Sequence, residues 1–347
     1  MWIEMNASIN RIQTAFAGIP SPGKVQEVAP GIGWVRMPLP FALSHVNCWL
    51  MADSGGWSIV DCGINDSETG LSWNRIAEEV IGNAPVHRII ATHGHTDHVG
   101  AAGFLCDTFQ AGFTSTLVEW QSACLRLGNH GERPVELARF LRIAGCGPEM
   151  EEAFATERTR VARYLGRLPG AIRRIRDGQS ITLDGEEWRV IVTRGHADEH
   201  ACFYNEARRI IIAGDQVLPS ITPLVSVFHW APEENPLGDF LASLQNLLAL
   251  PDDLLVLPGH GSPFYGLHHR IHAMVEHHQR RLAATLELMR VPATAFEISN
   301  LLFPTARGKG QGRLALGETL AHINHLVTLG EAICEAAADG RRIYRFN

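Results

Sequence analysis

The sequence predicts an α/β protein with a helical insertion and a small C-terminal unit, and three observations support this fold class. Apolar segments with the alternation of strands are interspersed with amphipathic segments of helical spacing. The middle of the chain, at about 117–176, has helical spacing throughout. The end of the chain reads as two helices followed by a hairpin, which is the order of a winged-helix-like unit.

The first part of the chain is predicted to be rich in hairpins. Residues 31–61 contain three strand-like segments, and a turn at 54–56 joins the last two. The segment LSWNRIAEEVIG, residues 71–82, places apolar side chains near one face and predicts a helix. The apolar segment VHRIIAT, residues 86–92, predicts the buried strand that follows, and this strand, helix, strand order is typical of an α/β sheet.

The insertion contains three predicted helices and two features with competing interpretations. Trp120, Phe140, Phe154 and Tyr164 either cover the site as a lid or pack within the insertion's own core or a dimer interface. The arginine-rich end of the insertion either grips the phosphates of an acyl-CoA or forms a solvated helix face. The sequence does not decide between the two interpretations of either feature. It also does not decide whether the protein forms a homodimer.

Strand signals return after the insertion. The segments QSITLDGEEWRVIVTRG, ACFYNEARRIIIAGD and DDLLVLPGH predict strands that end near Gly195, Asp215 and His260. A histidine-rich helix at about 267–289 follows, and TAFEISNLLF opens with the Thr and Glu of a capping box. We therefore expect a catalytic domain at 1–290 and a winged-helix-like domain at 291–347.

The composition excludes some classes of protein. A chain of 347 residues with 46% hydrophobic residues can bury a sizeable core, and a net charge of −7 disfavours a basic nucleic-acid platform. Seven cysteines without a CxxC pair predict reduced thiols. The sequence shows neither a basic start followed by an apolar run nor an apolar segment of roughly 18 residues, so we expect a cytoplasmic protein without a membrane partner.

Histidine is the unusual feature of the composition, with 17 residues, and several follow predicted strands. The segment THGHTDH, residues 92–98, offers four potential metal ligands, and Gly94 allows neighbouring side chains to turn toward one centre. His196, Asp215 and His260 each follow an apolar strand. Because a sheet can hold side chains rigidly at the carboxyl edge of its strands, we expect these groups to converge.

The converging set consists of five imidazoles and two carboxylates, without a thiolate. Its members are His93, His95, Asp97, His98, His196, Asp215 and His260. These donors suit borderline divalent ions, zinc first and iron or manganese next. Because one tetrahedral site needs only about four ligands, the set implies two ions.

The motifs that carry these residues resemble the ordered signature of the metallo-β-lactamase-fold hydrolases. They are IVDCG, THGHTDHVG, RGHADEH, IIAGD and LPGHG, within about 31–263. The resemblance implies an αββα sandwich that carries two metal ions. It assigns one ion to His93, His95 and His196, the other to Asp97, His98 and His260, and the bridging position to Asp215.

The resemblance also assigns two supporting residues. Asp61, in IVDCG, would orient the loop that carries the histidines, and His200 matches a frequent second histidine of its motif. Cys62 departs from the family pattern, since threonine is common at that position, and this departure changes a local hydrogen bond rather than a ligand.

The implied chemistry is hydrolysis by a metal-activated hydroxide, with Asp97 accepting a proton. The C-terminal unit and the GDQVLP segment further resemble the subgroup of β-lactamase-like endoribonucleases and related thioesterases. We expect a small-molecule ester-type substrate, a thioester such as an acyl-CoA first and a lactone or other ester next. Phe228, His229 and Trp230 are candidates for a substrate wall, with ordinary loop packing as the alternative. A metal-dependent endoribonuclease is the first alternative function, and a non-catalytic winged-helix regulator the second.

Overall fold

A computed structural model describes residues 12–128, 135–305 and 311–347 of the chain. Its strands, in chain order, are β1 (Gln13–Thr14), β2 (Val25–Ala29), β3 (Ile32–Pro38), β4 (His45–Asp53), β5 (Gly56–Val60), β6 (Val86–Ile90), β7 (Gly112–Ser115), β8 (Arg173–Arg174), β9 (Ser180–Leu183), β10 (Glu186–Thr193), β11 (His200–Asn205), β12 (Ile210–Gly214), β13 (Leu255–Pro258), β14 (Phe264–Tyr265), β15 (Ala332–Ala336) and β16 (Arg342–Phe346). Its α-helices are α1 (Ser67–Ile76), α2 (Thr96–Val99), α3 (Ala102–Phe109), α4 (Leu117–Gly128), α5 (Val135–Ile143), α6 (Pro148–Ala162), α7 (Pro236–Leu247), α8 (Leu267–Leu288), α9 (Ala295–Leu302) and α10 (Gly312–Thr328).

Two seven-stranded sheets form the centre of the described structure. The first has the order β2-β3-β4-β5-β6-β7-β8, antiparallel up to β5 and parallel from β5 to β8. The second has the order β1-β14-β13-β12-β11-β10-β9, with β12 and β13 parallel. The parallel strands require crossover segments, and these bring helices onto the sheets.

The alternation of side chains along the strands explains how the sheets stack. In β4, Trp49 and Met51 enter the core between the two sheets, whereas Cys48 and Leu50 enter the core beneath the N-terminal helices. In β12, Ile212 faces the other sheet and Ile211 faces the C-terminal helices. Each sheet is therefore buried on both faces, and the predicted αββα sandwich is confirmed.

The first helix begins earlier than the sequence pattern predicted. The side chain of Asp66 accepts a hydrogen bond from the backbone N–H of Thr69 at 2.8 Å and caps α1 at Ser67, rather than at residue 71. The helix then continues as a single π-helical turn, Ala77–Ile81. The apolar residues mark the buried face of this helix, but its cap determines where it starts.

The insertion contains the three predicted helices, α4, α5 and α6, but its last part is not helical. Residues 173–174 form the short edge strand β8 beside β7. The four aromatic residues proposed as a lid pack into hydrophobic cores. Trp120 and Tyr164 join the core beneath the first sheet, and Phe140 and Phe154 join the core that contains the C-terminal helices. For these side chains, core packing is the correct interpretation.

The C-terminal unit has the predicted order of helix, helix and hairpin in α9, α10, β15 and β16. Thr294 and Glu297 form both bonds of the expected capping box. Leu316 and Ile323 of α10 belong to the same hydrophobic core as Phe240 of α7, so this unit packs on the second sheet's helices. The boundary between residues 290 and 291 stays a prediction.

Two further expectations concern the whole chain. None of the seven cysteines forms a disulfide, as predicted. Within the described ranges, the helices are all too short or too polar to cross a lipid bilayer.

Candidate metal centre

The predicted ligands lie on four loops that leave the carboxyl ends of β6, β10, β12 and β13. The first loop runs from the end of β6 into α2, and His95 is the N-cap residue of that short helix. Gly94 is required in this loop because a Cβ atom there would lie 2.4 Å from the backbone oxygen of Glu119. The loop can therefore pass directly beneath α4 and bring its histidines to the sheet edge.

Three imidazoles meet on one side of the centre. Potential ligand atoms of His93, His95 and His196 all lie within 4.8 Å of one another. The Nε2 atom of His93 lies 2.9 Å from Nδ1 of His95 and 3.2 Å from Nε2 of His196. The structure thus brings together the three residues that the sequence assigned to one ion.

Two imidazoles and two carboxylates meet on the other side. The Nε2 atom of His260 lies 3.4 Å from Asp97 and 3.3 Å from Asp215, and Nε2 of His98 lies 3.5 Å from Asp215. Asp215 also lies 3.6 Å from Nε2 of His196. Asp215 is therefore positioned between the two groups, as a bridging residue must be.

Hydrogen bonds on the outer side of the rings fix which nitrogen faces inward. Nδ1 of His196 donates to the carbonyl oxygen of Leu224 at 2.8 Å, and Nδ1 of His260 donates to that of His45 at 2.6 Å. Nδ1 of His98 donates to Asp61 at 2.8 Å. Each ring consequently directs its Nε2 atom into the centre.

The ring of His93 is oriented in the same way through Thr92. The hydroxyl of Thr92 donates its one proton to Asp61 at 2.8 Å, so its oxygen accepts a hydrogen bond from Nδ1 of His93 at 3.0 Å. The Nε2 lone pair of His93 therefore faces the Nε2 lone pair of His196. Facing lone pairs at such distances repel one another unless a cation lies between them.

The inward atoms also lack other partners. Nε2 of His98, Nε2 of His260 and Oδ1 of Asp215 are buried and have no hydrogen-bond partner among the described residues. Buried polar atoms normally have partners, and such exceptions require an explanation. Divalent cations would satisfy them, and imidazole and carboxylate donors suit zinc, iron or manganese. The residues present therefore fit the expected metal ions.

The two supporting residues lie directly behind the predicted ligands. Asp61 is 1% exposed and accepts hydrogen bonds from Thr92 and His98, which confirms its contact with the histidine loop. Nε2 of His200 accepts a hydrogen bond from the backbone N–H of Asp215 at 3.1 Å. His200 therefore fixes the backbone of the bridging carboxylate rather than presenting a further ligand. Cys62 is buried and lies outside the set of inward-facing groups.

Burial and charge set the protonation of the centre. Burial lowers the pKa of His93, His95 and His196, which keeps these imidazoles neutral and able to bind a cation. Burial alone would raise the pKa of Asp215, but the neighbouring His260 and His98 hold it well below its ordinary value. The predicted bridging residue, Asp215, is therefore an ionised carboxylate.

Two residues of α4 contact the histidine loop and were not predicted from the sequence. Glu119, 2% exposed, accepts hydrogen bonds from the backbone N–H groups of Gly94 and Glu199, both at 2.8 Å. Arg126 donates to the carbonyl oxygen of Gly94 at 2.6 Å. The glutamate thus connects the loop of His93 and His95 with the segment that follows His196.

Asn47, on β4, performs a similar task on the other side and was also not predicted. Its side chain donates to the carbonyl oxygens of Pro258 and Gly261, both at 2.8 Å, and accepts from Nε1 of Trp34 at 2.8 Å. These bonds hold the loop that contains His260. Nothing in the local sequence distinguishes this asparagine from an ordinary strand residue.

A cleft of about 500 Å³, including its open mouth, adjoins the three-histidine side of the centre. Its lining includes His95 and His196, Arg126 of α4, and the aromatic residues Phe228 and Trp230. Two members of the predicted substrate wall therefore lie beside the ligands. The cleft opens to solvent, so an organic substrate in it can lie next to His95 and His196.

Family models match two parts of the chain. Residues 42–260 match the model of the metallo-beta-lactamase superfamily, and residues 282–347 match that of the metallo-beta-lactamase-like C-terminal domain. The first match contains every predicted ligand. The second contains α9, α10 and the terminal hairpin.

Known proteins resemble the chain over most of its length. The crystal structure of a beta-lactamase domain protein from Burkholderia ambifaria is 34% identical, covers 97% of this chain and 99% of its own, and superposes with a TM-score of 0.86. The "Probable metallo-hydrolase YqjP" of Bacillus subtilis is 26% identical and covers 84% of this chain and 91% of its own. The human "Acyl-coenzyme A thioesterase MBLAC2" is 25% identical and covers 69% of this chain and 81% of its own.

Proposed function

This chain belongs to the metallo-beta-lactamase superfamily and is a metallo-hydrolase, and from that premise we propose that it hydrolyses a small-molecule thioester of the acyl-CoA type with two divalent metal ions. Zinc is the proposed metal, with iron or manganese as substitutes. A lactone or another carboxylic ester is the next substrate class, because the same chemistry applies to each polarised carbonyl.

One observation carries the proposal of a metal-dependent reaction. The Nε2 atoms of His93 and His196 lie 3.2 Å apart, and each ring has its Nδ1 proton committed to a partner outside the centre. Neutral rings in this arrangement need a cation between them. In the proposal, His93, His95 and His196 hold one ion, Asp97, His98 and His260 hold the other, and Asp215 contacts both.

When bound, ions at these positions would polarise the substrate carbonyl and lower the pKa of a water molecule toward neutrality. The chain's own part concerns position and proton transfer. The side chain of Asp97 is 23% exposed whereas that of Asp215 is 8% exposed. Asp97 is therefore the carboxylate that open water and a substrate can reach, and we assign the uptake of a proton to it.

The choice of a thioester rests on the relative and on the cleft. The human thioesterase is 25% identical over 250 residues, which cover 69% of this chain. Beside His95 and His196, the cleft offers two large aromatic side chains to an organic substrate. A metal-dependent endoribonuclease, the alternative, would have to place a polyanion near Glu119, Asp198 and Glu234, which line the same cleft.

Purified protein, assayed with decanoyl-CoA, an acyl lactone and labelled single-stranded RNA under identical metal conditions, tests the substrate class. We expect hydrolysis of the thioester and none of the RNA. Cleavage of RNA without thioester hydrolysis would establish the alternative. Elemental analysis of the same preparation should find two equivalents of a divalent transition metal.

The assignment of metal ligands is tested by replacing one proposed ligand and, as a control, one histidine outside the centre. Asp215→Ala should lose at least one metal equivalent and reduce turnover by more than about 100-fold, because it removes the bridging carboxylate. His269→Ala on α8 is the control, since His269 contacts Asp252 at 3.9 Å and none of the proposed ligands. Equal metal loss in both variants would contradict the proposed ligand set.

A further inference from the structure

The cleft beside the centre has an aromatic wall, and the proposed reaction does not specify which part of the substrate this wall contacts. The rings of Phe228 and Trp230 are parallel, with centroids 4.5 Å apart and planes inclined by 6°. Trp230 is nevertheless 54% exposed. The indole of Trp230 is thus exposed to solvent at the edge of the candidate centre. An exposed aromatic ring in this position can pack against an apolar part of a substrate.

The wall is held in place by the metal centre and by the C-terminal unit. We call residues 224–235 the aromatic loop. At its start, the carbonyl oxygen of Leu224 accepts the hydrogen bond of His196. Further along, the N–H of Val227 donates to the carbonyl oxygen of Gly317 in α10 at 3.1 Å. The loop is thus fixed between a proposed ligand and a C-terminal helix.

Two residues of α10 allow the helix to pack closely against the aromatic loop. A Cβ atom at Gly317 would lie 1.9 Å from the hydroxyl oxygen of Ser226, so a larger residue would have to displace that side chain from the helix. The side-chain amide of Asn324 donates to the carbonyl oxygens of Pro232 and Glu234, at 3.0 and 2.8 Å. The C-terminal unit therefore determines the position of the wall.

The charged residues of the cleft indicate which part of a thioester can bind beside the aromatic wall. The cleft is lined by the carboxyl groups of Glu119, Asp198 and Glu234 and by a single guanidinium, that of Arg126. The phosphates of a coenzyme A group would meet more like charges than opposite ones here. An uncharged hydrocarbon chain meets no such penalty and gains apolar contact with the indole.

We infer that the aromatic loop binds the hydrocarbon chain of the acyl group, and that α10 positions the loop for this purpose through Asn324 and Gly317. The inference rests on the proposed thioesterase function. Trp230 is a substrate-binding residue in this assignment, and Asn324 is a positioning residue. The C-terminal unit then takes part in substrate selection from behind the site.

The experiment compares acetyl and decanoyl thioesters, each as the coenzyme A and as the uncharged N-acetylcysteamine derivative. Trp230→Ala should lower kcat/KM for both decanoyl substrates about tenfold through KM, and by at most about twofold for the acetyl substrates. Trp230→Phe should recover most of the loss. The effect should depend on chain length and be the same for both leaving groups.

The role of α10 is tested by one substitution at two helical positions. Asn324→Leu removes both donors to the aromatic loop and should raise KM for decanoyl substrates about threefold while leaving metal content unchanged. Asn246→Leu, at an exposed position of α7, is the matched control and should leave both parameters unaltered.

The outcomes separate this inference from the proposed function. An equal loss for acetyl and decanoyl substrates in Trp230→Ala would overturn the inference, and a loss that depends on coenzyme A rather than on chain length would place the leaving group in the cleft instead. Should the wild type hydrolyse no thioester, the proposed function fails. Calorimetric binding of decanoate then still tests the wall, and equal affinity in wild type and Trp230→Ala would reject it.

Discussion

Four of the five predicted ligand histidines are oriented by a bond on the side of the ring that faces away from the centre, namely His93, His98, His196 and His260. His196 and His260 donate Nδ1–H to backbone carbonyl oxygens, and His98 donates to Asp61. These bonds select one tautomer and remove rotational freedom before any ion binds. The repulsion among the inward-facing nitrogen and oxygen atoms is thus present in the folded chain, and a bound metal ion would relieve it.

The sequence predicted the residues that converge at the candidate centre, whereas it mostly did not predict the residues behind them. Histidines and aspartates that follow apolar strands are rare enough to be noticed, and Asp61 belongs to one of the five motifs. Glu119 is one of several acidic residues on amphipathic helices, and Asn47 is one polar residue in a strand. Their roles depend on backbone groups of distant loops, which no local pattern encodes.

Glu119→Gln should weaken metal binding, because a carboxylate that accepts from Gly94 and Glu199 becomes an amide whose NH₂ group faces one of these N–H donors. We expect affinity to fall about 10- to 100-fold, as for other residues that orient ligands. The free energy of unfolding should fall by about 1–3 kcal/mol. Competition with a chromophoric chelator measures the affinity, and urea unfolding measures the stability.

Glu136→Gln is the control for this prediction, since Glu136 is exposed in the first turn of α5. It should leave metal affinity and stability within experimental error of the wild type. Wild-type affinity in Glu119→Gln would show that the two loops keep their positions without the carboxylate.

At the scale of single elements, long periodic segments were predicted well and short or capped ones less well. The helices of the insertion and the C-terminal pair follow their apolar spacing. The edge strand β8 consists of two exposed arginines and carries no alternation, so the sequence pattern extended the helical insertion through it. Its place is set by β7, whose backbone it pairs with.

Helix α9 offers a direct test of a sequence-predicted cap. The side chain of Thr294 accepts from the N–H of Glu297, whose carboxylate in turn accepts from the N–H of Thr294 at 2.8 Å. Thr294→Ala should lower the free energy of unfolding by about 1 kcal/mol. Thr305→Ala, in the exposed turn after the helix, should not. Equal urea midpoints for the two variants would show that α9 does not depend on this cap.

At the scale of the whole molecule, the C-terminal unit packs tightly against the helices of the second sheet. Their hydrophobic core is common, and α10 contacts the aromatic loop on one side and α8 on the other. The contacts that join this unit to the rest of the described chain have large separations along the sequence, so no local pattern specifies them. Stability and substrate selection are therefore both expected to depend on this junction.

Two buried histidines at the junction of α8 and α10 should make the stability of the molecule depend on pH. Nδ1 of His278 lies 3.2 Å from Nε2 of His322, and both residues are 1% exposed. Burial, and for His278 also the neighbouring His322, lowers the pKa of His278 to about 3, while burial lowers that of His322 to about 4. The surrounding charged and titratable side chains are Arg281, His277, His325 and the half-buried Glu318.

The pKa values of His278 and His322 are lower in the folded chain than the ordinary value of about 6.5. At a pH between the folded and the ordinary pKa of each histidine, the unfolded chain therefore binds more protons than the folded chain. Stability from this pair is therefore fully present above about pH 6.5 and declines as the pH falls toward 4, by about 1.4 kcal/mol per pH unit for each residue. His322→Gln removes one of these two groups. The free energy of unfolding is measured by urea denaturation from pH 7 to 4.5, under the same metal conditions for the variant and the wild type. We expect the decline for the variant to be less steep by about 1.4 kcal/mol per pH unit. The other titrating groups are common to both proteins, so the difference between the two slopes reports on His322 and on its effect on the pKa of His278. Parallel slopes would mean that His322 takes up its proton without disturbing the junction.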